Sequence, residues 1–220
     1  MQLYLNETSP FSRVVVATAL LSHCSPLTFI WVDPWNSPIN LKSVNPFCLI
    51  PALELDNGVA LTESLCICQY LIATYQPQAL RQVDSAQAHE IKHLGVAKTL
   101  MEIAFRTAVL ARYTENDNAL IQRGQAGMMA ALKQLNKEIG DEGVNTRLTP
   151  NLATLYSHAA LEYVQFRHGA LFNEVDNKNV VDFLQCSPFA SVLSLINTAC
   201  LAKKPDYASL LSDFIRQPRA

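Results

Sequence analysis

Ser9-Pro10-Phe11-Ser12-Arg13, read with the Gln2-Leu3-Tyr4-Leu5 just before it, decides how this chain folds. Gln2 to Leu5 alternates polar and apolar residues, as a half-buried strand does. Asn6-Glu7-Thr8 breaks that pattern. Ser9 is a helix N-cap residue, and Pro10 suits the first helical position, where the N–H would lack a partner anyway. A strand that stops at a capped helix start presents free backbone N–H groups and the positive end of a helix dipole. Such a place suits an anion, and a hydroxyl there can stabilise a thiolate as readily as it caps the helix.

Working outward, Ser12 to His23 reads as a helix despite the β-branched run Val14-Val15-Val16. Leu27 to Val32 reads as a strand, and Asp33 to Asn45 as a loop with a short helix. Pro51 to Leu55 and Val59 to Thr62 flank Asp56-Asn57-Gly58, and Asn-Gly between alternating runs signals a hairpin. Glu63 to Tyr75 is an apolar helix. The order β-α-β, hairpin, α fits a small four-stranded sheet carrying helices. The polar stretch from Gln76 to Ser85 reads as a linker. Beyond it the pattern predicts helices over Ala86–Tyr113, Asn116–Gly140, Asn151–His168, Val180–Cys186 and Ser187–Leu201. A mixed α/β domain followed by an all-helical one is the simplest partition.

Bulk properties narrow the function. Of 220 residues, 17 are Lys or Arg and 19 Asp or Glu, a net charge of −2 that gives no electrostatic case for nucleic acid or an anionic membrane. No apolar run reaches bilayer-spanning length, and no basic segment precedes Val14–Leu21, so neither a membrane span nor a signal peptide is expected. Six scattered cysteines do not make a disulfide framework, and they are expected as free thiols in a reducing cytoplasm.

Four local patterns occur in a telling order: Ser9 to Arg13; Asn45-Pro46 with Ile50-Pro51-Ala52-Leu53; Thr62-Glu63-Ser64; and Asn151-Leu152-Ala153-Thr154 leading to Tyr163 and Phe166-Arg167. Together they resemble the cytosolic glutathione S-transferases, in particular the bacterial serine-type, Theta-like branch. That resemblance implies a thioredoxin-like glutathione-binding domain over residues 1–76, a linker over 77–86 and an all-helical domain over 87–220. It implies a cytoplasmic homodimer in which glutathione is the co-substrate, with no other cofactor and no metal. The reaction it implies is attack of the glutathione thiolate on a small hydrophobic electrophile bound between the domains, near the first helix, the loop after Leu5 and the helices around Leu100 to Tyr113. Ser9 would stabilise the thiolate. Phe11, Ile50, Pro51, Glu63 and Ser64 would hold the tripeptide.

Each implied role has a physical basis. Lowering a thiol pKa by about two units needs roughly 2.7 kcal/mol. One hydrogen bond to a charged group supplies about 1.5–3 kcal/mol and a helix N-terminus about 0.3–1 kcal/mol. A cis bond at Ile50-Pro51 would let the Ile50 backbone pair with the cysteinyl part of the peptide like an added strand edge. Ser64 at a helix start would take the γ-glutamyl carboxylate, and Glu63 the ammonium.

Two departures stand out. Where many relatives read Asn-Pro-x-Gly-Lys-Val-Pro, this chain has Cys48 for the glycine and Leu49 for the basic residue. That basic residue usually helps hold the glycyl carboxylate, so its loss is worth about 1 kcal/mol of binding. Thr154 stands where an aspartate is usual. Cys48 is expected to be a buried structural thiol rather than a reactive one. Two alternatives come from other classes. A non-catalytic relative could bind a partner such as RNA polymerase. His89-Glu90-Ile91-Lys92-His93 matches the H-E-x-x-H pattern of zinc peptidases.

Overall fold

The computed structural model describes residues 1–114, 118–143 and 149–217. Two compact units result, one comprising Met1–Gln82 with Phe189–Ala220 and the other Val83–Pro188.

The first unit is built on four strands, β1 (Gln2–Leu5), β2 (Thr28–Trp31), β3 (Ala52–Glu54) and β4 (Ala60–Thr62), in the order β2-β1-β3-β4. β1 and β2 run parallel, with Leu3 opposite Phe29, and the other two pairings are antiparallel. The turn between β3 and β4 closes through Leu55 N–H donating to the Val59 carbonyl and Gly58 N–H to that of Leu55. Gly58 lies at φ 81°, a conformation that costs glycine little. Helix α1 (Pro10–Leu21) starts at Ser9 with Pro10 at its first position. Its valines are strand formers by propensity, but Val14, Val15 and Val16 are all buried, and packing outweighs the small helical penalty. Helix α3 (Ser64–Tyr75) packs beside α1, and the Thr18 hydroxyl lies 3.3 Å from the Cys68 sulfur. Leu3, Leu5, Val15, Leu20, Leu53, Ile67 and Leu71 form the interior between sheet and helices. A short helix α2 (Ile39–Val44) fills the expected loop.

Residues 189–217, part of the expected helical region, fall in the same compact unit as the sheet. The expected single helix over Ser187–Leu201 is two, Ala190–Leu195 and Thr198–Leu201. Ile196 is the C-cap of the first, and Asn197 donates to the Ser194 carbonyl and caps the next by accepting the Cys200 N–H. A further helix, Tyr207–Arg216, was not expected. Asp206 caps it through the Ser209 N–H, the Tyr207 hydroxyl donates to the Ala19 carbonyl at 2.9 Å, and its ring meets Phe29 edge-on at 5.3 Å.

The second unit is helical: α4 (Ala88–Leu110), α5 (Ala119–Glu142), α6 (Leu152–Arg167) and two short helices, Gly169–Glu174 and Lys178–Gln185. The expected start of α5 at Asn116 lies outside the described residues. α6 is extensively buried, including Leu152, Leu155, Tyr156 and Val164. Asn151 caps it by accepting the Thr154 N–H at 2.9 Å, and the Thr154 hydroxyl donates to the Thr149 carbonyl at 2.7 Å. Threonine thus ties the cap to the preceding loop. Asn136 of α5 accepts the Asn179 N–H at 2.9 Å and so caps Lys178–Gln185 from a neighbouring helix.

Candidate functional site

Strand pairing sets the site. Tyr4, Ala52 and Thr62 form one row across β1, β3 and β4. The chain leaves that row after β1 toward Ser9, enters it through Ile50-Pro51, and leaves it after β4 into Glu63-Ser64. All three segments therefore lie at one end of the sheet, across a span of about 10 Å for three adjacent strands.

At the first segment, Asn6 Oδ1 accepts the N–H groups of Thr8 at 3.2 Å and Ser9 at 2.9 Å and shapes the loop. This asparagine brace was not foreseen, although Asn-x-Thr-Ser is a common turn composition. Ser9 is buried, and its hydroxyl oxygen accepts the Ser12 N–H at 3.1 Å. A hydroxyl has one proton and two acceptor positions, so the cap leaves the proton available to a further acceptor. Phe11 sits half-buried in the first turn of α1.

At the second segment the Ile50–Pro51 peptide bond is cis, as is Ser25–Pro26. Among the described residues, neither the N–H nor the C=O of Ile50 has a hydrogen-bond partner. Asn45, buried, holds the loop ahead of it by accepting the Phe47 N–H and donating to the Leu49 carbonyl at 2.8 Å. Cys48 takes φ 53°, the conformation for which glycine is the usual choice. Its side chain and that of Ile50 pack on the cluster Tyr4, Leu41, Val44 and Ala52. Leu49 is 59% exposed.

At the third segment Glu63 lies at φ 70°, ψ 117°, a conformation L-residues rarely adopt. It turns β4 directly into α3. Ser64 is buried and its hydroxyl donates to Glu63 Oε1 at 3.3 Å. No side chain caps α3, and the first turns of both α1 and α3 lack acidic residues. Both helix ends therefore keep their positive character toward an anion.

The other candidates fall elsewhere. In the H-E-x-x-H stretch, Glu90 is buried and accepts the Asp84 N–H at 2.8 Å ahead of α4, and the two imidazoles lie 6.1 Å apart. The glutamate therefore serves the helix start. Among the described residues, no group of three or more His, Cys, Asp or Glu side chains is placed to hold a metal. Cys24 is fully buried, and burial pushes its thiol up to about 12, so it stays protonated. Among the described residues, no helix is long and apolar enough to cross a membrane.

Comparison with known proteins agrees with this architecture. No curated protein sequence matches the chain. Residues 3–79 match the family model "Glutathione S-transferase, N-terminal domain". A glutathione transferase family member from Pseudomonas fluorescens Pf-5, solved with bound glutathione, is similar at 22% identity and a TM-score of 0.73, covering 93% of this chain and 98% of that one. A glutathione S-transferase from Methylobacillus flagellatus with glutathione bound is similar at 21% identity and 0.68, covering 87% and 94%. One from Methylobacterium radiotolerans, in complex with glutathione sulfonate, is similar at 18% and 0.70, covering 86% and 92%. The four-stranded mixed sheet with its helices, followed by a helical part, is the thioredoxin-like glutathione S-transferase fold, and residues 3–79 are the stretch that matches that family's N-terminal domain model.

Proposed function

We propose that this protein is a glutathione transferase of the serine type, in which the sheet end formed by Ser9, Ile50-Pro51 and Glu63-Ser64 holds glutathione. The observation that carries the reading is the backbone of Glu63. A non-glycine residue at φ 70° costs about 1–3 kcal/mol and persists where the surroundings demand it, most often beside a ligand. Here it aims an exposed carboxylate and the uncapped start of α3 at one point. A free amino acid end, carrying ammonium and carboxylate together, matches that pair of charges. The bound glutathione in the similar bacterial structures supports the same ligand class.

In this reading the Ser64 hydroxyl turns from Glu63 to the γ-glutamyl carboxylate, which also takes the first N–H groups of α3, while the ammonium pairs with Glu63. The cysteinyl backbone pairs with the open N–H and C=O of Ile50, in the manner of an added strand. That register directs the thiol toward the start of α1. The Ser9 proton then donates to the sulfur anion, and the helix end adds its dipole. Together these contribute on the order of the 2.7 kcal/mol needed to move a thiol pKa by about two units. The thiolate attacks the electrophilic carbon of a small hydrophobic substrate, forming the C–S bond as the leaving group departs with its electron pair. Phe11 flanks the peptide. The protein works as a cytoplasmic homodimer without metal or further cofactor.

Leu49 favours a second reading, a binding protein of this fold that does not turn over. An exposed leucine offers the glycyl carboxylate no cation. The test is retention on immobilised glutathione followed by turnover of 1-chloro-2,4-dinitrobenzene. Retention with turnover supports the transferase, retention alone supports the binding protein, and loss of both removes glutathione as the ligand.

A further inference from the structure

The helical unit contains a pocket of about 250 Å³ at the C-terminal ends of α4 and α6 and the N-terminal half of α5. Its polar lining comes from Thr107, Arg112, Gln125, Arg167 and His168, and among the described residues no carboxylate lines it. Two permanent positive charges thus share one small volume. Among the described residues, neither arginine has an acidic partner. Arg112 is exposed and its guanidinium makes no hydrogen bond among the described residues. Arg167 lies over the Phe166 ring with its guanidinium carbon 4.3 Å from the ring centre, and its Nε is buried with no hydrogen-bond partner.

The remaining groups have the character of a prepared site. Thr107 is only 4% exposed, yet its hydroxyl makes no hydrogen bond among the described residues. Buried hydroxyls are normally satisfied, so the hydroxyl of this lining residue has a proton and lone pairs to offer. The close approach of α5 holds Thr107 in place, since a Cβ at Gly124 would lie 2.1 Å from its Oγ1. His168 is oriented by a 2.8 Å hydrogen bond between Nε2 and the Ala104 carbonyl.

We propose that this pocket binds a small oxyanion, a carboxylate or phosphate group, between Arg112 and Arg167, with the Thr107 hydroxyl and the Gln125 amide completing its shell. Guanidinium groups present paired N–H donors that match both oxyanions, and two of them with no counter-charge among the described residues attract one strongly. The volume exceeds that of a bare ion, so the anion is part of a small molecule or arrives with water. The pocket shares no residue with the sheet end proposed to hold glutathione, so its test does not depend on that reading.

Isothermal titration of the full chain with inorganic phosphate and with succinate, against sodium chloride at matched ionic strength, tests it. Saturable binding of one or both is expected, and the tighter of the two identifies the ligand chemistry. Arg112→Gln weakens it at least tenfold, while Arg123→Gln, elsewhere on α5, leaves it unchanged. Gln125→Glu, which places a carboxylate at an exposed lining position, also weakens it at least tenfold. It serves as the second variant should Arg112→Gln unfold by circular dichroism. No saturable binding of either anion, or binding undiminished in both pocket variants, overturns the proposal.

Discussion

The Ser9 hydroxyl oxygen accepts the Ser12 N–H at 3.1 Å, so one side chain both starts α1 and keeps a proton to give. The two roles separate by mutation. Ser9→Ala loses both, and costs about 0.5–2 kcal/mol of stability from the missing cap. Ser9→Asp retains a cap acceptor but has no proton to donate. We expect both to lower turnover at least tenfold, with urea denaturation showing the stability loss only in Ser9→Ala. Unchanged turnover in either variant removes Ser9 from the mechanism.

Glu63 should trade stability against binding. Glycine adopts φ 70° without a Cβ penalty. Glu63→Gly is expected to raise unfolding free energy by about 0.5–1 kcal/mol while weakening glutathione at least tenfold. Paired denaturation and titration curves check this, and equal glutathione affinity would show that the carboxylate is not a ligand.

Leu49 is the place to restore a cation. Because it is exposed, Leu49→Lys carries little folding cost. A gain of about 1 kcal/mol, roughly fivefold in glutathione affinity, is expected and should fade at high salt. A salt-independent result would argue against a carboxylate near this loop.

His158 predicts an acid limb of stability. It is fully buried and stacks on Phe183 with ring centres 4.2 Å apart, and burial lowers its pKa to about 3. The unfolded chain takes up this proton as pH falls below about 6.5, but the folded chain does not. This contribution is therefore intact above that pH and is lost progressively down to about 3, at up to about 1.4 kcal/mol per pH unit. Chemical denaturation from pH 7.5 to 5 should show the slope, and His158→Leu should flatten it. An identical slope in the variant would exclude His158 as its source.

Gly124 tests helix contact within the second unit. Gly124→Ala drives a methyl to 2.1 Å from Thr107 Oγ1. The gain in helix propensity is outweighed by the clash, and a net loss of about 1–3 kcal/mol is expected by urea denaturation. A stabilised variant would mean that the helices separate freely there.

How much of this was readable in advance depended on whether the signal was local. The Asn57-Gly58 turn, the Ser9-Pro10 start and the Asn151 cap act over three or four residues, and each stands where the sequence put it. Signals that act through a distant partner were missed. Nothing near Asn179 announces that Asn136, 43 residues away, caps its helix. The helix Tyr207–Arg216 had local cues in Pro205 and Asp206, but its purpose lies in burying Tyr207 against α1. Val14 to Val16 form helix against their propensity because both sides of α1 are covered. The Glu63 backbone has no sequence signature, because it is imposed by the junction of β4 with α3.

The Tyr207 hydroxyl bond to Ala19 joins residues 188 positions apart. A ribosome releases β1, α1 and β2 long before it makes that tyrosine. Until then Phe29 lacks its Tyr207 neighbour. Translation therefore imposes a waiting period on the amino-terminal unit, during which the whole helical unit is synthesised and can condense first. Expressing residues 1–82 alone would make that interval permanent.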